Sequence, residues 1–305
     1  MYRAWNRLPP DAHDQLTRGL PASELRTVLL EVARARAAAV TPADLVRRWR
    51  HDPLVRPTDH DPRGTAILEA DLWRLLPTDV AGVDLSPVAP LGTCAAIAPG
   101  SQDRIVTTTR GSEVVSDPTN ALAVEAAVRR ARGPAGGEVH LAACVPVLRA
   151  QPFGAGMSQH FRLFALVSSA RDIGSRCTES RLLSRHVLHW QRVLGAVAAE
   201  ARPRIELTVF DDPTMAERLS DILEQARADP TVPVSVVADR EHGRGYYTSA
   251  ALRIVLENGG VEVGDGGLTG WTAALTADAK ERCMVSVLAT QRMAEAAVRV
   301  TSAGA

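Results

Sequence analysis

The chain predicts an α+β fold, an antiparallel sheet flanked by helices and preceded by an N-terminal helical extension. Three observations predict it. The hydrophobic pattern changes near Pro90, from helical stripes to short β-rich runs. Beyond that point strands and helices intersperse without the regular βαβ alternation of a parallel sheet. Val147–Gln151 and Phe161–Val167 read as two strands joined by a Gly/Ser-containing turn, a hairpin at the centre of the chain. The division expected is residues 1–85 for the extension and 86–305 for the core.

In the extension, Ser23 is a candidate cap for a helix with Leu25, Val28, Leu29 and Val32 on one face. Thr41-Pro42 opens a second helix, with proline where its missing N–H costs nothing. Ile67, Leu68, Leu72, Leu75 and Leu76 form a third stripe, after a break at Pro53, Pro57 and Pro62. No chemical constellation stands out here, and the segment reads as a packing extension. In the core, Thr93–Ala98 and Arg104–Val115 read as strands interrupted near Arg110-Gly111-Ser112. Asp117-Pro118-Thr119 opens a helix reaching about Arg132, closed by the Gly133–Gly137 run. The two arginine-bearing strands follow, then a long helix over about Glu179–Glu200. Arg204–Phe210 reads as a strand, Thr214–Ala228 as a helix, and Val232–Val237 as a buried strand, being continuous in β-branched residues. Tyr246–Leu268 reads as antiparallel strands around Asn258-Gly259-Gly260, a hairpin turn signal. Met284–Leu288 is the last strand and Gln291–Val300 the last helix.

Composition bounds the function. The chain has 305 residues, 46% hydrophobic and 23% charged, which fits one large or two ordinary domains. Formal net charge is +0, which argues against bulk attraction to nucleic acid or anionic membrane. Lys280 is the only lysine, in an exposed polar run, so no Gly-Lys-Ser/Thr phosphate loop exists and a P-loop nucleoside triphosphatase is excluded. Cys94, Cys144, Cys177 and Cys283 are scattered without a Cys-x-x-Cys pair, which predicts buried free thiols and fits a reducing cytoplasm. No apolar signal core opens the sequence, and no apolar run is long enough to span a bilayer. His186 and His189 stand at i, i+3 on one helix with no carboxylate at metal spacing, so metal ligation is not expected.

Arg149 ends the first strand of the central hairpin, and Arg162 begins the second. Facing arginines make a clamp for phosphate or carboxylate, because guanidinium bonds such groups through two parallel N–H donors and stays charged. The plainer reading is two ordinary surface arginines on an exposed hairpin.

Four stretches occur in an order that resembles the catalytic core of class II aminoacyl-tRNA synthetases, within that class the histidyl type and its paralogues. Val106–Arg110 through Asp117-Pro118-Thr119-Asn120-Ala121 resembles the segment that presents amino-acid-binding residues, usually Arg-Pro-Glu-x-Thr. Leu148-Arg149-Ala150-Gln151 with Phe161-Arg162-Leu163-Phe164 resembles motif 2, Phe-Arg-x-Glu, a loop, then Arg-x-Phe. His242-Gly243-Arg244-Gly245-Tyr246-Tyr247 resembles the histidine-specific Arg-Gly-Leu-Asp-Tyr-Tyr segment. Asp265-Gly266-Gly267 with Gln291-Arg292-Met293 resembles the glycine-rich strand and the arginine that closes motif 3. The likeness spans roughly residues 90–300; motif 1 is not placed.

The resemblance implies ATP and Mg²⁺ as cofactors, and an amino acid or related small carboxylic acid as substrate. Its carboxylate attacks the α-phosphate, and positioned positive charge carries most of the catalysis. By this likeness Arg149 and Arg292 are the catalytic candidates, on the α- and γ-phosphates. Arg162 takes the β/γ end, and Gln151 and Phe164 hold the base. Asp117, Thr119, Arg244, Tyr246 and Tyr247 line the acyl-substrate site, and Asp265 is the metal candidate. The resemblance further implies a homodimer, with an amine, a carrier protein or a tRNA as acyl acceptor. Three departures qualify it. Gln151 replaces the motif 2 glutamate. Asp-Pro-Thr replaces Arg-Pro-Glu, leaving Asp117 or Glu113 to meet an α-amino group. Arg244 stands where the histidine segment has leucine or aspartate. The motifs also run out with no segment after them for an anticodon-binding domain. Two functions are therefore expected side by side: an adenylate-forming ligase, or a non-catalytic paralogue like the regulatory subunit of ATP phosphoribosyltransferase. An RNA-binding module is a third, disfavoured by the neutral charge.

Overall fold

A computed structural model describes residues 2–134, 137–154, 157–257 and 260–303. Short helices α1 (Tyr2–Trp5) and α2 (Ala12–Asp14) lead into α3 (Ala22–Ala38) and α4 (Pro42–His51). Helix α3 starts one residue before Ser23, after Pro21, with no side-chain cap, and it buries none of its residues: Val28, Leu29 and Val32 stay exposed. The α4 start is as expected. Thr41 and Asp44 form a capping box, each side chain meeting the other's backbone N–H, an arrangement worth about 1 kcal/mol.

Helix α5 (Pro62–Arg74), capped by Asp61, is different in kind. Leu68 and Leu72 are buried in the main core, although Ile67 of the expected stripe faces solvent. Strand β1 (Ala81–Gly82) then pairs with the sheet itself, so the core draws on residues numbered below 86. Strand β2 (Val88–Pro90) pairs with β3 (Ser112–Val114) in a small separate sheet. Between them Thr93–Ile97 is a helix, α6, where the sequence reads as strand. The reason is Glu113, whose buried carboxylate accepts from the Gly92 and Cys94 N–H groups and so fixes the helix start.

Helix α7 (Pro118–Arg132) is capped by Asp117 and ends at Gly133; residues 135–136 of the closing run lie outside the described residues. The remaining elements are β4 (Val139–Leu148), β5 (His160–Arg171), α8 (Cys177–Val197), β6 (Pro203–Val209), α9 (Pro213–Ala226), β7 (Val234–Val236), β8 (Ala250–Leu256), β9 (Val261–Thr269), α10 (Trp271–Thr276), β10 (Glu281–Ala289) and α11 (Thr290–Ala303). The eight-stranded sheet runs β1-β4-β5-β10-β9-β8-β6-β7. Its six central strands are antiparallel, and only the edge pairs β1/β4 and β6/β7 are parallel. Strand β7 is an edge rather than a buried strand: Val232 just before it is buried, but Val236 is exposed. Of the expected β8–β9 turn, Asn258 and Gly259 lie outside the described residues.

Alternation along the strands sorts side chains onto two faces. One face carries Phe164, Leu166, Leu252, Ile254, Met284 and Leu288 against α5, α8, α9 and α11. The other carries Leu141, Ala143, Ala165, Val167 and Val285 against α7 and α10. The first face also buries a polar chain, in which His186 bonds Ser168 and Ser286, and Trp190 donates to Ser286. All four cysteines are free; Cys283 is buried and the other three are half-buried.

Candidate functional site

A cleft of about 1150 Å³ opens where the β4–β5 hairpin, the start of α7, the turn before β8 and the start of α11 meet. Arg149, Gln151, Arg292, Asp117, Tyr246, Tyr247, Asp265 and Arg244 all line it, although they come from five separate stretches of sequence.

Arg149 is held from three sides. Its Nε donates to the Ser116 carbonyl at 2.9 Å, its Nη2 lies 3.6 Å from Asp117 Oδ2, and its guanidinium stands 5.2 Å from the Phe161 ring centre. The backbone is pinned as well. The Arg149 N–H bonds Gln159 O, and Gln159 Nε2 donates to the carbonyls of Ala150 and Gln151 across the hairpin mouth. Asp117 spends Oδ1 on capping α7 through Thr119 N and Thr119 Oγ1, which leaves Oδ2 toward the cleft. Thr119 is buried by that capping role and does not line the cleft.

Of the two candidates on β5, Phe164 lies away from the cleft and Arg162 stands at its edge. Phe164 is fully buried on the opposite face of the sheet, edge-on to Trp73 and Trp190. Residue 161 has the opposite parity in the strand, so of the two β5 phenylalanines Phe161 reaches the cleft, packed edge-on to Phe153, which also lines it. Arg162 shares the parity of Phe164. Its Nε and Nη2 bond Glu69 of α5 at 2.7 and 2.8 Å, so its guanidinium is neutralised at the cleft edge instead of facing Arg149. Burial works to raise the Glu69 pKa, but the Arg162 and Thr290 donors outweigh it and hold the carboxyl below its ordinary value. The same desolvated corner pushes the Cys144 thiol up to about 12.

At the far wall Tyr247 donates to Asp265 Oδ2 at 3.1 Å. Asp265 Oδ1 accepts from Arg240 at 2.6 Å and from Gly266 N at 2.8 Å. Gly267 is required here: a Cβ on it would lie 2.5 Å from the Tyr247 ring. Burial raises both tyrosine pKa values, so both remain neutral phenols. With one oxygen on a guanidinium and the other on a phenol, Asp265 does not fit a Mg²⁺ ligand. Among the described residues no group of three or more His, Cys, Asp and Glu side chains could hold a metal ion. Arg244 sits at the rim, paired with Asp211 and lying over Phe210. Arg292 donates to the Glu262 carbonyl at 2.9 Å and is otherwise exposed to the cleft. Glu113 is buried and committed to Gly92, Cys94 and Gln102, so it does not offer itself to an amine.

Among the contributors that sequence reasoning missed are Phe161, Ser116, Asn120 and the segment around Arg56–Asp61. The last walls the cleft from the extension, tied by His160 to the Arg56 carbonyl at 2.8 Å and by His60 to Glu295 at 3.2 Å. Strand parity could have found Phe161; nothing in the sequence announces the other three.

No known family description matches the chain, and no curated protein sequence does. Solved structures do. A Bacillus halodurans protein described as an ATP phosphoribosyltransferase regulatory subunit/histidyl-tRNA synthetase superposes with a TM-score of 0.59 at 11% identity, covering 79% of this chain and 83% of that one. Apo histidyl-tRNA synthetase from S. aureus gives 0.56 at 13%, covering 84% and 67%. A structure described as the RNA binding domain of threonyl-tRNA synthetase from Cryptosporidium parvum gives 0.58 at 9%, covering 83% and 66%. The fold is therefore that of the class II aminoacyl-tRNA synthetase core, a large sheet flanked by helices. Histidyl-tRNA synthetase and the protein described as an ATP phosphoribosyltransferase regulatory subunit/histidyl-tRNA synthetase are among the structures that share this fold. No helix among the described residues is long and apolar enough to cross a membrane.

Proposed function

We propose that the protein binds ATP and a small amino acid or related carboxylic acid in this cleft and joins them as an acyl adenylate. The observation that carries the reading is the convergence of Arg149, Gln151, Phe161 and Arg292 on one concave site. In that reading Phe161 stacks the base and Gln151 offers its amide to the base's amino edge. Arg149 meets the α-phosphate and Arg292 the γ-phosphate. The substrate carboxylate attacks the α-phosphorus, the bond to the β-phosphate oxygen breaks, and pyrophosphate leaves. Arg149 then stabilises charge that grows on the α-phosphate oxygens, the one place where a preorganised donor lowers the barrier rather than merely binding. Mg²⁺ would accompany ATP in this reading. The acyl group would pass to an amine, a carrier protein or a tRNA, and the protein is proposed to act as a cytoplasmic homodimer, which a doubled mass in light scattering would support.

A specific observation favours a second reading. Arg162 is paired with Glu69 at the cleft edge, and Asp265 with Arg240 at the far wall, so neither charge stands free for a phosphate or a metal. A non-catalytic paralogue that keeps the substrate half and senses a small ligand would tolerate this. ATP–pyrophosphate exchange across amino acids and small acids tests the two. Exchange with any acid supports the ligase. Ligand binding by calorimetry without ATP binding supports the regulatory reading.

A further inference from the structure

A second cavity, of about 730 Å³, opens along α8 and α9 and shares no lining residue with the cleft. Its volume falls in the range of small-molecule sites. Arg181, Arg185 and Arg192 of α8 line it, and Arg218 of α9 lines it from the neighbouring helix. Steps of four and seven residues along α8 set the first three at heights about 6 and 10 Å apart on one helix face. Asp221 is the only carboxylate among the described lining residues, 3.9 Å from Arg218. Glu138 pairs with Arg181 and Asp79 with Arg185, but both carboxylates lie outside the lining. The carbonyl of Leu75 accepts from Arg192, and that of Ser175 from Arg218. A guanidinium has five N–H donors, so these contacts leave donors on each arginine for a ligand.

We infer that this cavity binds a small, non-aromatic anion carrying two or more phosphoryl groups. The lining sets four guanidiniums against one carboxylate. A carboxylate brings one negative charge, whereas a phosphate monoester brings about 1.5 to 2 near neutral pH and three acceptor oxygens. Guanidinium meets such oxygens through two parallel N–H bonds. A single phosphate cannot reach arginines spread over three turns of α8, and two joined by a short carbon or phosphate bridge can. Ser180 and Ser184 add hydroxyls to the same wall. No Phe, Tyr or Trp is among the described lining residues, so a nucleobase has no ring to stack on. His189 also lines the cavity and serves as a reporter. Burial, with the charges of Arg192 and Arg185, holds its imidazole down at about 4. An anion that offsets those two charges should raise that value.

Calorimetry on the full-length protein with fructose 1,6-bisphosphate, inorganic tripolyphosphate, inorganic phosphate and succinate tests this. The expected result is that the sugar bisphosphate or the tripolyphosphate binds at least about ten-fold more tightly than phosphate and succinate. Whichever of the two binds better tells an organic from an inorganic source. Arg185→Gln should weaken that binding about ten-fold, the effect of losing one charged hydrogen bond. Should that variant fold poorly, Arg218→Gln removes a guanidinium from the other helix and should weaken binding similarly. Arg149→Ala, in the cleft, should leave it unchanged. In the parent protein the His189 ring protons, assigned with His189→Leu, should titrate at higher pH when the anion is bound. Absence of binding by both polyphosphates overturns the inference, as does phosphate or succinate binding equally well. Binding lost in Arg149→Ala and kept in folded Arg185→Gln and Arg218→Gln overturns it and moves the anion to the cleft. A His189 titration that does not move under saturating anion also overturns it.

Discussion

Arg162 and Glu69 form a two-pronged ion pair that joins the start of β5 to α5, with Thr290 adding a third bond to the same carboxylate. Arg162 is thereby tied to α5 at the edge of the cleft that Arg149 also lines. Arg162→Ala should cost about 1.5–3 kcal/mol of stability, the range for hydrogen bonds to charged groups, in urea unfolding. It should leave ligand affinity nearly unchanged. A large loss of ATP affinity without a loss of stability would return Arg162 to the phosphate clamp.

Arg149→Ala should lower pyrophosphate exchange by about a hundred- to a thousand-fold with the fold intact by circular dichroism. Arg149→Lys should be nearly as poor, since an ammonium lacks the two-pronged geometry. Gln151→Glu should preserve or improve ATP affinity if the residue reads adenine. No effect on ATP and weaker binding of the acid would favour the regulatory reading.

The two phenylalanines of β5 separate cleanly. Phe164→Ala should destabilise by about 3–5 kcal/mol, because the side chain is fully buried between two tryptophans. Phe161→Ala should change stability far less and instead weaken nucleotide binding. Equal unfolding midpoints for the two variants would refute the assignment of faces.

Burial lowers the His189 pKa from its ordinary 6.5 to about 4, with Arg192 and Arg185 adding to the effect, and both ring nitrogens lack a partner. A depressed histidine pKa means that the unfolded chain binds more protons between the two values. Its contribution to stability is complete above about pH 6.5 and is lost as pH falls toward 4. Melting temperature should therefore fall across that window, and His189→Leu should flatten the fall. Identical profiles for parent and variant would count against this origin.

The depressed Glu69 carboxyl acts at lower pH with the same sign. Its stabilisation is present above the ordinary glutamate value of about 4.3 and disappears as acid protonates the folded form. Glu69→Gln should remove that acid-sensitive component, seen as a smaller change in unfolding midpoint between pH 5 and pH 3.

Much of the architecture was legible because it rests on local chemistry. Thr41-Pro42 and Asp117-Pro118 announce helix starts through capping, and the alternating runs announce strands. What failed was non-local. Thr93–Ile97 looks like a strand until Glu113, distant in sequence, caps it into a helix. Val28, Leu29 and Val32 have helical spacing, but spacing does not say whether a partner exists, and the stripe is exposed. In the cleft the arginines were legible as chemistry while their partners were not. Strand parity alone separates Phe161 from Phe164, but the Glu69 partnership that occupies Arg162 depends on how α5 packs against the sheet.

Glu69 and Thr290 are 221 residues apart, yet they bond where α5 lies against α11. Until β10 and α11 have been synthesised, Leu68 and Leu72 have only part of their final surroundings, and the back of the sheet cannot be sealed. The nascent protein must therefore carry an unfinished apolar surface through most of its translation. Its yield should depend on chaperone capacity and growth temperature more than the stability of the finished molecule would suggest.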